Sequence, residues 1–180
     1  MTQPRGGTLS GALQGTGEGI SAAAAYLRTL DPHKVILVGV GDDLRGDDGV
    51  GPWVVRRLAG RCAWRLFDAG TAPENFMGPL ARLAPRTVVV IDAVHAASEP
   101  GAFWCGRLGD LPDATPSTHS ASLALFAQAL SRRCLDEDHP WPEFLLLGIQ
   151  AEQCEFAAAL SPRVHRVAAE LVDALACPPT

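Results

Sequence analysis

The sequence predicts an α/β fold: a three-layer sandwich built on a mainly parallel, twisted sheet with helices on both faces, of the phosphorylase/hydrolase-like kind. Three observations carry that expectation. The runs KVILVGVG, TVVVIDAV and EFLLLGIQ are apolar almost throughout, as strands buried on both faces require. Segments with helical spacing alternate with these runs at lengths suited to parallel crossovers. A chain of 180 residues with 47% hydrophobic content can bury one substantial core, and a second full domain is not expected.

Taken in order, residues 1–18 are rich in Gly, Ser and Thr and read as a flexible lead-in, followed by a helical turn or more in Ser21–Leu30 before Pro32. Together they form an N-terminal extension, residues 1–33, ahead of a single domain over residues 34–177 and a short tail at 178–180. Lys34–Gly41 is the first buried strand. In the helix after it, Trp53, Val54 and Leu58 fall at helical spacing and Arg56 and Arg57 lie on the wet side, with Gly60 as its end. The stretch AWRLFDAG is a second strand, and Thr71 and Glu74 stand at capping-box spacing before Phe76, Leu80 and Leu83. TVVVIDAV is the third strand and the most apolar one, and GAFWCGRL is a shorter strand suited to a sheet edge. Leu123, Phe126, Ala127 and Leu130 share one face of a helix over Ser117–Arg132. After the strand EFLLLGIQ, an amphipathic helix closes the chain, with Ser161 as N-cap and Pro162 at its first position.

Charge narrows the function classes. The net charge is -5, from 15 Lys+Arg against 20 Asp+Glu, and no basic run is present, which argues against nucleic acid and an anionic membrane surface as partners. A protein or small-molecule partner is expected instead. The 5 cysteines are odd in number and scattered without a C-x-x-C pair, and read as buried thiols of a reducing compartment. No apolar run approaches the ~20 residues a bilayer demands, so the expected location is cytoplasmic. A monomer is expected.

The most informative stretch is GVGDDLRGDDGVG, residues 39–51. It opens like a dinucleotide-binding turn, but Leu44 stands where that fingerprint needs a third small residue, and Asp42, Asp43, Asp47 and Asp48 would face a pyrophosphate. Two unit charges ~7 Å apart repel by about 2 kcal/mol at an effective dielectric near 20. A helix N-terminus returns only ~0.3 to 1 kcal/mol per acid. Arg45 alone cannot neutralise the cluster, so these acids either point into water or converge on a cation. An EF-hand loop is excluded by spacing, since Trp53 falls where its twelfth-position Glu would be.

Functional side chains of an open α/β sheet gather beyond the carboxyl ends of its parallel strands. Asp47 or Asp48 after the first strand, Asp68 at the end of the second and Asp92 at the end of the third all fall there. Asp92 is the sharpest signal, because a carboxylate directly after VVVI needs a hydrogen bond, a charge or a metal to offset its desolvation. His119, where a loop turns into a helix, can reach the same edge; His95, three residues after Asp92, is the competing imidazole. Two carboxylates and an imidazole suit nickel, zinc, manganese or iron.

In VGVGDDLRGDDGVGP, FDAGTAPENF, VVVIDAV, STHSASL and LLLGIQ, taken jointly and in order, the chain resembles the maturation endopeptidases of [NiFe]-hydrogenases, in particular the hydrogenase 3 (formate hydrogenlyase) branch. The resemblance spans about residues 34–175. It implies a protease that removes a short C-terminal extension from the hydrogenase large-subunit precursor after nickel insertion. It also implies Asp48, Asp92 and His119 as the metal-contacting set, with nickel arriving on the substrate and zinc, manganese or another divalent ion able to take its place. Asp68 falls at another acidic position of the family pattern. The chain departs from that pattern in having Asp42 for a usual Asn, Ala69 for a second Gly and Ala151 for a frequent Pro.

The expected chemistry is hydrolysis of one peptide bond near a metal held by Asp48, Asp92 and His119. Asp68 or Asp47 would take a proton, or the acids would activate water as in aspartic-type proteases. Two other classes stand beside it: a non-catalytic nickel-checking or assembly module for the large subunit, and a nucleotide-binding α/β enzyme.

Overall fold

The computed structural model describes residues 13–14, 17–108 and 120–176. Its strands are β1 (Leu13–Gln14), β2 (Val35–Val40), β3 (Arg65–Gly70), β4 (Thr87–Val94), β5 (Phe103–Arg107) and β6 (Glu143–Gln150). The helices are α1 (Gly17–Arg28), α2 (Val50–Leu58), α3 (Met77–Arg82), α4 (Ser120–Asp136) and α5 (Pro162–Leu175). The strands form one sheet in the order β1-β5-β6-β4-β2-β3. β3, β2, β4 and β6 run parallel, whereas β5 and β1 are antiparallel to their neighbours. This is the expected sandwich.

Alternation along the buried strands divides the core in two. Val35 and Leu37 of β2 and Val89, Ile91 and Ala93 of β4 pack with the apolar stripes of α1, α2 and α5. Ile36, Val38, Val88, Val90 and Val94 face the other way, onto Leu80 of α3 and Leu123, Phe126 and Leu130 of α4. Each such side chain contributes about 1.5–3 kcal/mol when fully buried, which explains why strands covered on both faces carry no polar alternation. The exception is Asp92, which by the same alternation lies on the α3/α4 face.

Within the N-terminal extension, residues 13–14 and 17–28 are described, as β1 and α1. α1 begins earlier than Ser21 and buries Ile20, Ala23, Ala24 and Leu27 in the same core as α5. β1 pairs with β5 through Leu13 opposite Cys105 and Gln14 opposite Trp104. Hence β5 is not the sheet edge that its length suggested; a two-residue strand is too short to show any period in sequence. Thr71 is not a cap either, since the turn over Pro73–Phe76 has Ala72 at its N-cap and no side-chain cap bond. Among the described residues no helix is long and apolar enough to cross a membrane.

Candidate active site

The chain leaves β2 to form β3 on one side and returns to form β4 on the other, so the switch point of the sheet lies between the carboxyl ends of β2 and β4. The acidic turn sits there. Glycines make its close approach possible: a Cβ on Gly41 would stand 1.7 Å from the Asp48 carbonyl oxygen, and one on Gly51 would stand 2.2 Å from that of Ile91 and 2.3 Å from that of Val40. The space a phosphate would need beside Gly41 is therefore filled by the chain's own backbone.

Residues Gly46–Gly49 form a 3-10 turn in which Asp47 and Asp48 are both buried. They are used differently. Asp47 reaches across to the loop after β6: its Oδ2 accepts from the amides of Glu152 (2.8 Å) and Gln153 (3.0 Å), and its Oδ1 from that of Ser161 (2.6 Å). A carboxylate with three amide donors latches this turn to that loop. Ser161 precedes α5 without a side-chain cap bond, its amide held by Asp47 instead. Asp48, 5% exposed, turns inward, and its Oδ2 accepts from the Asp42 amide at 2.9 Å. Asp42 in turn makes a local turn, its Oδ1 accepting from the Leu44 amide.

Asp92 is fully buried within β4, two residues before the strand's end and not beyond it. Its Oδ1 accepts from the Ala93 amide at 2.9 Å. The Gly46–Gly49 turn packs against β4, the strand that carries Asp92. His119 lies outside the described residues. α4 begins at Ser120, the next residue, and its C-terminus is tied by a short connection to the amino end of β6. The start of α4 therefore faces the carboxyl edge, on the sheet face that Asp92 occupies. Among the described residues, no three of His, Cys, Asp and Glu converge in a metal-holding group.

Asp68 is not available as drawn from sequence. It is part-exposed on β3 and bound by Arg56 Nε at 2.5 Å, while Arg56 Nη1 holds Asp43 at 2.6 Å. Asp43 foremost, then Asp68, raises the Arg56 pKa, against an opposing effect of burial. The arginine that helical spacing placed on the wet side thus pairs with two of the acids. At two of the departures from the family pattern, Arg45 stands 3.7 Å from Asp42, and the positive φ at the end of β3 is taken by Gly70 rather than Ala69.

Sequence reasoning missed Gln150. Buried at the end of β6, it accepts from the Ala96 amide through Oε1 (2.7 Å) and donates from Nε2 to the Ala151 carbonyl (3.0 Å), fixing the segment that leaves β4. The strand-ending glutamine in LLLGIQ was the only signal. On the rim, Leu44 and Phe156 are 58% and 71% exposed and are joined by the Ala157 amide donating to the Leu44 carbonyl at 2.7 Å. Among the described residues, open hollows lie beside α4 around Gln128 and Trp141.

A family model described as hydrogenase maturation protease, HycI, matches residues 53–176. The chain belongs to the hydrogenase maturation protease family. By that membership it is a peptidase. The hydrogenase 3 maturation protease of Escherichia coli K12 is 34% identical over 68 residues, which are 37% of this chain and 44% of that protein. The crystal structure of a [NiFe] hydrogenase maturation protease, HycI, from Thermococcus kodakarensis KOD1 superimposes with a TM-score of 0.64 at 27% identity, covering 79% of this chain and 92% of the other. For HybD of Thermococcus kodakarensis the TM-score is 0.67 at 23% identity over 78% and 95%, a likeness of fold.

Proposed function

We propose that this protease removes the C-terminal extension of a [NiFe]-hydrogenase large-subunit precursor once nickel is in place, and that Asp48, Asp92 and His119 contact that nickel. The observation that carries the reading is the pair of buried carboxylates, Asp48 and Asp92, at the switch point of a maturation-protease fold. Carboxylates withdrawn from water so fully are held there at a cost of several kcal/mol unless a charge or donors answer them. Carboxylate and imidazole donors suit nickel, and zinc or manganese would fit the same set.

The proton of the attacking water passes to one of the acids of this edge. The water oxygen bonds to the scissile carbonyl carbon, the C–N bond breaks, and the released amine takes up a proton. Leu44 and Phe156 offer an apolar rim on which the extension can lie. The test is to incubate the protein with nickel-loaded and nickel-free precursor and follow loss of the extension by mass spectrometry. Removal from the nickel-loaded form alone is expected. Equal cleavage of both would defeat nickel recognition, and stable binding of the loaded precursor without mass loss would make the protein a checking module.

A further inference from the structure

The acids are not the only potential ligands at this corner. His95 follows β4 directly, and Cys154 stands in the loop after β6; Cys154 Sγ lies 3.8 Å from His95 Nε2. Both side chains are half-buried, so they can be reached from outside. Their backbones are fixed by bonds already described. The Ala96 amide, next to His95, is held by Gln150, and the amides of Glu152 and Gln153, just before Cys154, are held by Asp47. Gln153 adds a bond from its Nε2 to the Ala159 carbonyl and accepts from the Glu155 amide.

We propose that His95 and Cys154 form a soft-metal subsite beside the acids, a two-donor seat for a divalent cation of the nickel or zinc class. Metal–sulfur bonds near ~2.3 Å and metal–nitrogen bonds near ~2.0–2.1 Å span a separation of 3.8 Å when the S–metal–N angle is roughly 120°. That is close to a tetrahedral edge and needs little movement. Thiolate and imidazole are the donors that favour zinc, nickel and cobalt over magnesium or calcium. Two protein donors leave the remaining coordination positions open, as a site that receives a metal on its own carrier requires.

The subsite rests on the proposed function only for the carrier of the cation; binding of the ion itself is separable. The full-length, reduced protein is treated with iodoacetamide with and without nickel sulfate, and alkylation is read peptide by peptide. Nickel is expected to abolish labelling of Cys154 and leave Cys62 unchanged. The protection is expected to vanish in His95→Ala and to survive in Asp92→Asn. With cobalt(II), a sulfur-to-metal charge-transfer band is expected that is lost in Cys154→Ser. Equal labelling of Cys154 with and without nickel, together with no cobalt band, would overturn the subsite and leave the pair a thiol–imidazole contact. Extension removal by the same preparation reports on the proposed function independently.

Discussion

Asp47 and Asp48 are adjacent aspartates, both buried, yet they serve two different regions of the molecule. Asp47 is part of the scaffold: three amides of a loop more than a hundred residues away converge on its carboxylate. Asp48 lies in the turn packed against the strand that carries Asp92, and the bond from the Asp42 amide to its Oδ2 organises the turn itself. Burial alone therefore says little about what a carboxylate does. What distinguishes the two is where their hydrogen-bond donors come from.

Substitutions can break or sharpen that contrast. The largest effect is expected from Asp92→Asn: extension removal should fall by about 100-fold or more, with native circular dichroism retained. Asp47→Ala should act on the fold instead. Stranding the amides of Glu152, Gln153 and Ser161 should cost about 3 kcal/mol or more in urea unfolding. Next comes Gly51→Ala, whose new Cβ meets backbone oxygen and cannot be relieved by a rotamer change; a loss of about 1–3 kcal/mol is expected. Phe156→Ala should leave both scaffold and acids intact and raise KM for the precursor by roughly threefold to tenfold with kcat preserved.

The smallest effect is on alkaline stability. Burial raises the Cys105 thiol from 9.0 to about 11. In the unfolded chain the thiol ionises first, so its contribution is complete below pH 9 and lost as pH rises through about 11. Cys105→Val should flatten that part of the stability profile.

Much of the fold was legible because its signals are local. An unbroken apolar run such as TVVVIDAV can hardly be anything but a strand covered on both faces, and Arg56 on the wet side of α2 followed from spacing alone. Asp92 stood out for a related reason, being the one charge inside such a run. Less could be read wherever the answer depends on a distant partner. Nothing in GDDG says which aspartate faces the loop at residues 151–161, and nothing in FDAG says that Arg56 will claim Asp68. β1 is too short to have a period. The pairing of His95 with Cys154 joins segments that only the neighbouring positions of β4 and β6 bring together.

The most direct test of this division of labour is the rate of extension removal by Asp48→Asn, measured where urea unfolding shows the protein to be native. Asparagine keeps an acceptor for the Asp42 amide but not the charge, so stability within about 1 kcal/mol of the parent and near-complete loss of processing are expected. Processing at the parental rate by this variant would contradict the assignment of Asp48 to the site.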